Sequence, residues 1–128
     1  LYADLDDLKR INDTFGHEEG DVALVETAAI LREAFRESDI IARIGGDEFV
    51  VLAVDAGEDK VQAIEQRLKD KFVARNALTS RRYTLSISLG CAYYNPKKPC
   101  TIQELVALAD KAMYGDKAAT KGAAAPGA

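Results

Sequence analysis

Two short acidic stretches carry the residue types from which phosphate chemistry is built. Near the start, Asp4-Leu5-Asp6-Asp7 follows the apolar Leu1-Tyr2-Ala3; further along, Gly45-Gly46-Asp47-Glu48 separates two apolar runs. Carboxylates gathered at one place repel each other, so holding them together costs free energy unless a cation is present. Mg²⁺ suits such a set, because it takes oxygen ligands and is held by one or two carboxylates plus substrate phosphates. Two such ions clamp the attacking and leaving oxygens of an in-line displacement at phosphorus. Gly45 and Gly46 have no Cβ, so the backbone can turn sharply there and approach a ligand closely. The bland readings stand beside this one. Asp4, Asp6 and Asp7 also read as a solvated acidic loop, and Gly-Gly-Asp is good hairpin chemistry in itself.

Whether the two stretches meet depends on the elements that carry them. Residues 1–5 are an apolar run ending in acids, as a buried strand emerging into a loop would be. Gly16 and Gly20 punctuate a polar stretch before a helical pattern from about residue 21 to residue 36. There Leu24, Ala28, Leu31 and Phe35 share one face, Val25 widens the stripe, and Asp21 offers the anion that a helix N-terminus prefers. Ile40-Ile41-Ala42-Arg43-Ile44 and Phe49-Val50-Val51-Leu52-Ala53-Val54 flank the glycines as an antiparallel hairpin. Val61, Ile64, Leu68 and Phe72 predict a second amphipathic helix. Within residues 83–94, Leu85, Ile87, Leu89 and Cys91 alternate with Thr84, Ser86 and Ser88, a strand with one wetter face. Thr101-Ile102-Gln103-Glu104 is a capping box, and it opens a last helix bearing Leu105, Leu108, Ala109, Ala112 and Met113. The order β-α-β-β-α-β plus a terminal helix is the split βαβ arrangement, an α+β, ferredoxin-like antiparallel sheet with helices packed on it. In that topology the end of the first strand and the hairpin lie at the same end of the sheet. The first and third strands are neighbours, so Asp4 is expected beside Asp47 and Glu48. The residues alone thus point to metal-assisted nucleotide chemistry on a palm-like sheet.

Composition bounds the alternatives. The 128 residues suit one domain, and 48% hydrophobic with 30% charged residues is ordinary for a globular protein. No apolar run approaches the roughly 20 residues that span a bilayer. The net charge of -4 argues against a broad basic surface for nucleic acid. Cys91 and Cys100 form no ligand spacing and read as reduced thiols of a cytoplasmic protein. Leu1 is not an initiator Met, so the chain reads as starting part-way into a larger protein. Residues 122–128, rich in Ala and Gly, read as a flexible tail or linker after a domain of residues 1–121.

The residues also resemble a known family. Gly45-Gly46-Asp47-Glu48-Phe49 spells the signature of GGDEF domains. Asp4-Leu5-Asp6-Asp7-Leu8-Lys9, Ile11-Asn12-Asp13-Thr14-Phe15-Gly16-His17 and Gly20-Asp21 are similar to the family's metal and guanine motif. Ser86-Ile87-Ser88-Leu89-Gly90 and Ala109-Asp110-Lys111-Ala112-Met113-Tyr114 resemble its last strand and helix. The resemblance implies a nucleotidyl-cyclase-like fold and a diguanylate cyclase, which condenses two GTP into cyclic di-GMP and releases pyrophosphate. It implies two Mg²⁺ (or Mn²⁺) per active site, ligated by Asp4, the Leu5 carbonyl and Asp47. Asp47 is then also the candidate base for the ribose 3′-hydroxyl, supported by Glu48. Asn12 and Asp21 would read guanine, and a carboxylate is the right acceptor for its N1–H and amino group. His17 would lie near the nucleotide, Gly45 and Gly46 would pass the phosphates, and Lys117 with Lys121 would balance the triphosphate. The family's usual segment before the first strand is absent from this sequence, and Thr120 stands where its terminal pattern has Gly.

Arg36-Glu37-Ser38-Asp39, with five residues between it and Gly45, matches the family's inhibitory R-x-x-D site for cyclic di-GMP. An Arg fork pairs bidentately with phosphate or a guanine edge, and Arg67 is a further candidate contact. The resemblance further implies a homodimer at the moment of catalysis, since each domain brings one GTP. A sensory or regulatory domain outside this chain, and no contact with nucleic acid or membrane by this domain, complete the expectation. The location would be cytoplasmic, whether or not the full-length protein carries a membrane anchor. The alternatives are a catalytically silent GGDEF domain sensing GTP or cyclic di-GMP, which the intact Asp47-Glu48 pair argues against, and a purely structural dimerisation module.

Overall fold

The computed structural model describes residues 1–54, 57–78 and 82–124, with side chains described as far as residue 115. In chain order the elements are β1 (Tyr2–Leu5), α1 (Leu8–Phe15), α2 (His17–Ala34), β2 (Ile40–Arg43), β3 (Glu48–Leu52), α3 (Glu58–Leu78), β4 (Ile87–Gly90) and α4 (Ile102–Ala124). The sheet order is β2-β3-β1-β4 and every neighbouring pair is antiparallel. This is the split βαβ arrangement with an extra helix after β1 and one after β4.

Alternation along the strands sorts the two faces of the sheet. Ala3, Leu5, Phe49, Val51, Ile87 and Leu89 point into the main core, where Ile30 and Leu31 of α2 and Leu68 and Phe72 of α3 meet them. The opposite face carries Tyr2 and Asp4 of β1, paired in register with Val50 and Glu48 of β3. Over it α4 lays Ala109 and Met113 on Tyr2, in a smaller second core. That contact needs a bare backbone at Gly90. A Cβ there would lie 2.1 Å from both the Ala109 oxygen and the Met113 nitrogen. Among the described residues no helix is long and apolar enough to cross a membrane.

Several expectations are corrected. The first helical stretch begins at His17 rather than Asp21, so Glu18 and Glu19, not Asp21, occupy the first turn of α2. A separate helix, α1, precedes it. Gly16, at φ 95°, breaks the two apart in a conformation closed to most other residues. The buried stripe of α2 is Gly20, Ala23, Thr27, Ile30, Leu31 and Ala34, and Val25 is 69% exposed. Thr27 can sit in that stripe because its hydroxyl donates to the Ala23 carbonyl at 2.8 Å. On α4 the inward face is Val106, Ala109 and Met113, leaving Leu108 and Ala112 outside. The capping box is half formed: Thr101 Oγ1 accepts from the Glu104 N–H at 3.1 Å and donates to its carboxylate at 3.2 Å. The last strand is only four residues long, and its polar face is buried rather than wet, with Ser88 fully enclosed. α4 runs through the expected domain boundary at residues 121–122 to Ala124, and residues 125–128 lie outside the described residues.

Candidate metal and nucleotide-binding site

The β1–β3 ladder brings the two acidic stretches together. Asp4 faces Glu48 across it, and one residue further on the Leu5 N–H donates to the Asp47 carbonyl at 2.9 Å. Asp4, Asp47 and Glu48 each offer a carboxylate oxygen, all within 4.8 Å of one another. Asp4 is buried and the other two are half-buried. Three hard oxygens at this spacing fit Mg²⁺ or Mn²⁺ and offer none of the sulfur or imidazole ligands that softer metals select. Leu5 buries its side chain completely in the main core, which fixes the backbone on which Asp4 is mounted.

Two neighbours hold this cluster in place. The Tyr2 phenol donates to Glu48 Oε2 at 2.8 Å. Burial first, then the hydrogen bond to Glu48 and the charges of Glu48, Asp110 and Asp4, push the Tyr2 phenol well above its usual value, so it stays a donor. Asp6 is buried, which sets aside the solvated-loop alternative for it. Its two oxygens accept from Ser88 Oγ at 2.6 Å and Ser86 Oγ at 2.7 Å, and its N–H donates to the Ser86 carbonyl at 3.0 Å. It clamps the exit of β1 to β4. Asp7 is exposed at the head of α1 with φ 60°, a left-handed conformation that Asp tolerates better than most residues.

The proposed guanine ligands gather at the elbow between α1 and α2. Asn12 lies against Gly20 so closely that a Cβ there would sit 1.7 Å from Asn12 Oδ1. Asp21, the next residue, is exposed, as is His17 at the first position of α2. Gly45 and Gly46 form the turn between β2 and β3, ahead of Asp47. The side chains of Lys117 and Lys121 lie outside the described residues.

A second cluster lies around the end of α2. Asp39 accepts from the backbone N–H groups of Arg36 and Val54, each at 3.0 Å, and its side chain is only 3% exposed. The Arg36 guanidinium, 62% exposed, lies 3.8 Å from Asp39 Oδ1 and donates to the Val54 carbonyl. Arg36, Asp39, Lys60, Ile64 and Arg67 line a cavity of about 250 Å³. Arg67 also donates to the Ala34 carbonyl at 3.3 Å. The structure thus brings together Asp4 with Asp47 and Glu48, Asn12 with Gly20, and Arg36 with Asp39 and Arg67.

Three residues here escaped the sequence reading. Tyr2 stands two places before Asp4, so strand alternation puts both on one face, and this was the available signal. Lys60 lies a helical distance from Arg67 on α3, which allows a shared face. The Asp6 clamp had no signal, because Ser86 and Ser88 are 80 and more positions away.

Comparison with known proteins follows the same line. The family described as "Diguanylate cyclase, GGDEF domain" matches residues 1–123. The chain is 37% identical over 119 residues to cyclic di-GMP phosphodiesterase NbdA of Pseudomonas aeruginosa, covering 92% of this chain and 15% of that protein. It is 33% identical over 118 residues to diguanylate cyclase A of Treponema denticola, covering 91% of this chain and 32% of that protein. A Pseudomonas aeruginosa structure comprising only the GGDEF domain is similar with a TM-score of 0.80 and 38% identity, over 91% of this chain and 68% of that chain. The chain therefore spans about a third or less of these two curated relatives.

Proposed function

Because the chain belongs to the GGDEF domain family, which supports a role in cyclic di-GMP synthesis in general, we propose that it is a diguanylate cyclase domain. On this reading it condenses two GTP into cyclic di-GMP, each step joining a ribose 3′-oxygen to an α-phosphorus and releasing pyrophosphate. The observation that carries the reading is the convergence of Asp4, Asp47 and Glu48 within 4.8 Å. A bound pair of Mg²⁺ or Mn²⁺ ions would supply charge neutralisation at the phosphates. Asp4, the Leu5 carbonyl and Asp47 would hold them, with Glu48 as the third carboxylate of the ligand set.

The chain's own residues then do the rest. Asp47 takes the proton of the 3′-hydroxyl, and Glu48 keeps the local field negative. Asn12 and Asp21 orient guanine, with His17 beside the nucleotide. Gly45 and Gly46 let the phosphates pass close to the backbone, and Lys117 and Lys121 balance their charge. One domain carries one GTP, so two domains facing across a two-fold axis complete the reaction. Positioning then supplies much of the rate. The Arg36–Asp39–Arg67 cavity would take cyclic di-GMP and limit its synthesis, with Lys60 as an added cation. A sensory or regulatory domain outside this chain would set the dimer, and the reaction would run in the cytoplasm.

The test is turnover of GTP with Mg²⁺ at concentrations that favour dimers, for the wild type beside Asp47→Ala. The wild type is expected to form cyclic di-GMP, and removing the base should cost roughly 10²–10⁴-fold. Equal product from both proteins removes Asp47 from the mechanism. No product from the wild type at any concentration contradicts the cyclase reading.

A further inference from the structure

We propose that Tyr2 is a positioning residue of the metal site, setting the plane of the Glu48 carboxylate from beneath α4. The proposal rests on reading Asp4, Asp47 and Glu48 as cation ligands. Its geometry comes from the sheet. Tyr2 pairs in register with Val50, and Glu48 is two places along β3 on the same face, a diagonal that a long aromatic side chain spans. The phenol reaches Glu48 Oε2 at 2.8 Å.

The same oxygen of Glu48 also lies against Gly45. A Cβ at Gly45 would come within 2.9 Å of Oε2 and 3.3 Å of the carboxyl carbon. One oxygen of the carboxylate thus meets both a phenol and a bare backbone, which limits how far that oxygen can swing. The phenol is itself held. Tyr2 is 6% exposed and packs against Ala109 and Met113 of α4. The close seat of α4 over Gly90 therefore reaches Glu48 through a single ring. A hydrogen bond from a neutral donor also draws off some of the repulsion among three neighbouring carboxylates. A residue that orients a metal-ligating carboxylate in this way characteristically changes metal affinity when it is lost.

The bland alternative is that Tyr2 only fills the second core. Tyr2→Phe separates the two, since it keeps the ring and removes the hydroxyl. Mn²⁺ affinity, measured by calorimetry on the wild type, Tyr2→Phe, Glu48→Gln and the double variant, is the readout, beside the unfolding temperature in EDTA. The expected result is roughly tenfold weaker Mn²⁺ binding in Tyr2→Phe. The unfolding temperature stays near the wild type, and adding Tyr2→Phe to Glu48→Gln has little further effect. Mn²⁺ affinity unchanged in Tyr2→Phe overturns the proposal, and so does a Tyr2→Phe protein that does not fold, because the hydroxyl then serves the core. A wild type with no saturable Mn²⁺ binding fails differently: it removes the metal-site reading and Tyr2's role with it.

Discussion

Gly20→Ala offers a way to disturb the guanine pocket while leaving the fold standing. The added methyl would meet Asn12 Oδ1 at 1.7 Å and its Cγ at 2.8 Å. Ordinary contact begins near 3.4 Å, so the oxygen must withdraw by about 3.4 − 1.7 = 1.7 Å. The obstacle is the end of a side chain rather than backbone, and Asn12 can escape by changing rotamer. An Asn12 side chain left off its rotamer by that move costs about 1 kcal/mol. Against it, Ala replaces Gly in the first turn of α2, a gain of at most about 1 kcal/mol. The two nearly cancel, so the unfolding temperature should stay within about 4 °C of the wild type. Binding should not. If Asn12 contributes one polar contact to guanine, its removal costs about 1.5 kcal/mol, or roughly tenfold in affinity for a GTP analogue. Thermal unfolding and calorimetry with the analogue and Mg²⁺ measure both quantities on one preparation. Affinity equal to the wild type in a folded Gly20→Ala protein would refute the reasoning, because the pocket would not depend on where Asn12 lies.

Two further outcomes are expected. Burial, the hydrogen bond to Glu65 and the Glu65 charge push the Cys91 thiol from 9.0 up to about 12. The folded value is raised, so the associated stability is present below pH 9 and lost as pH climbs toward 12. At pH 8 its thiolate population is about a thousandfold below that of an unshifted thiol, and alkylation of Cys91 in a Cys100→Ser protein should be slow until unfolding. Rapid labelling of the folded protein contradicts this. Arg36→Ala should weaken cyclic di-GMP binding roughly tenfold, as loss of a charge-assisted contact would, and calorimetry giving unchanged affinity rejects the feedback cavity.

The sequence made some elements legible because their cause is local. The apolar runs of β2 and β3, the glycine-led turn between them and the Val61–Leu68–Phe72 stripe of α3 all follow from short-range pattern, and the split βαβ order then placed Asp4 beside Asp47 and Glu48. What escaped has causes outside the local pattern. α1 buries only Ile11, so periodicity gave it no voice, and its end is set by the backbone of Gly16. The inward face of α2 is wider than the Leu24–Ala28–Leu31–Phe35 stripe, and Thr27, polar by type, joins it because its hydroxyl is satisfied within the helix. Ser88 looked like the wet face of a strand, yet Asp6 from the far end of the chain accepts a hydrogen bond from its hydroxyl, and α4 packs against β4. At the site, the carboxylates were visible as letters. The phenol that steadies one of them was hidden as an ordinary strand residue.

The central claim is that Asp4, Asp47 and Glu48 form a seat for divalent cations that serves a guanine triphosphate. Crystals of this chain grown with Mn²⁺ and a non-hydrolysable GTP analogue, measured at the manganese absorption edge, test it most directly. The account predicts anomalous density between those three carboxylates, shared with the analogue's phosphates and lost in Asp47→Ala. Manganese bound elsewhere, or phosphates placed away from the β1–β3 edge, would contradict it.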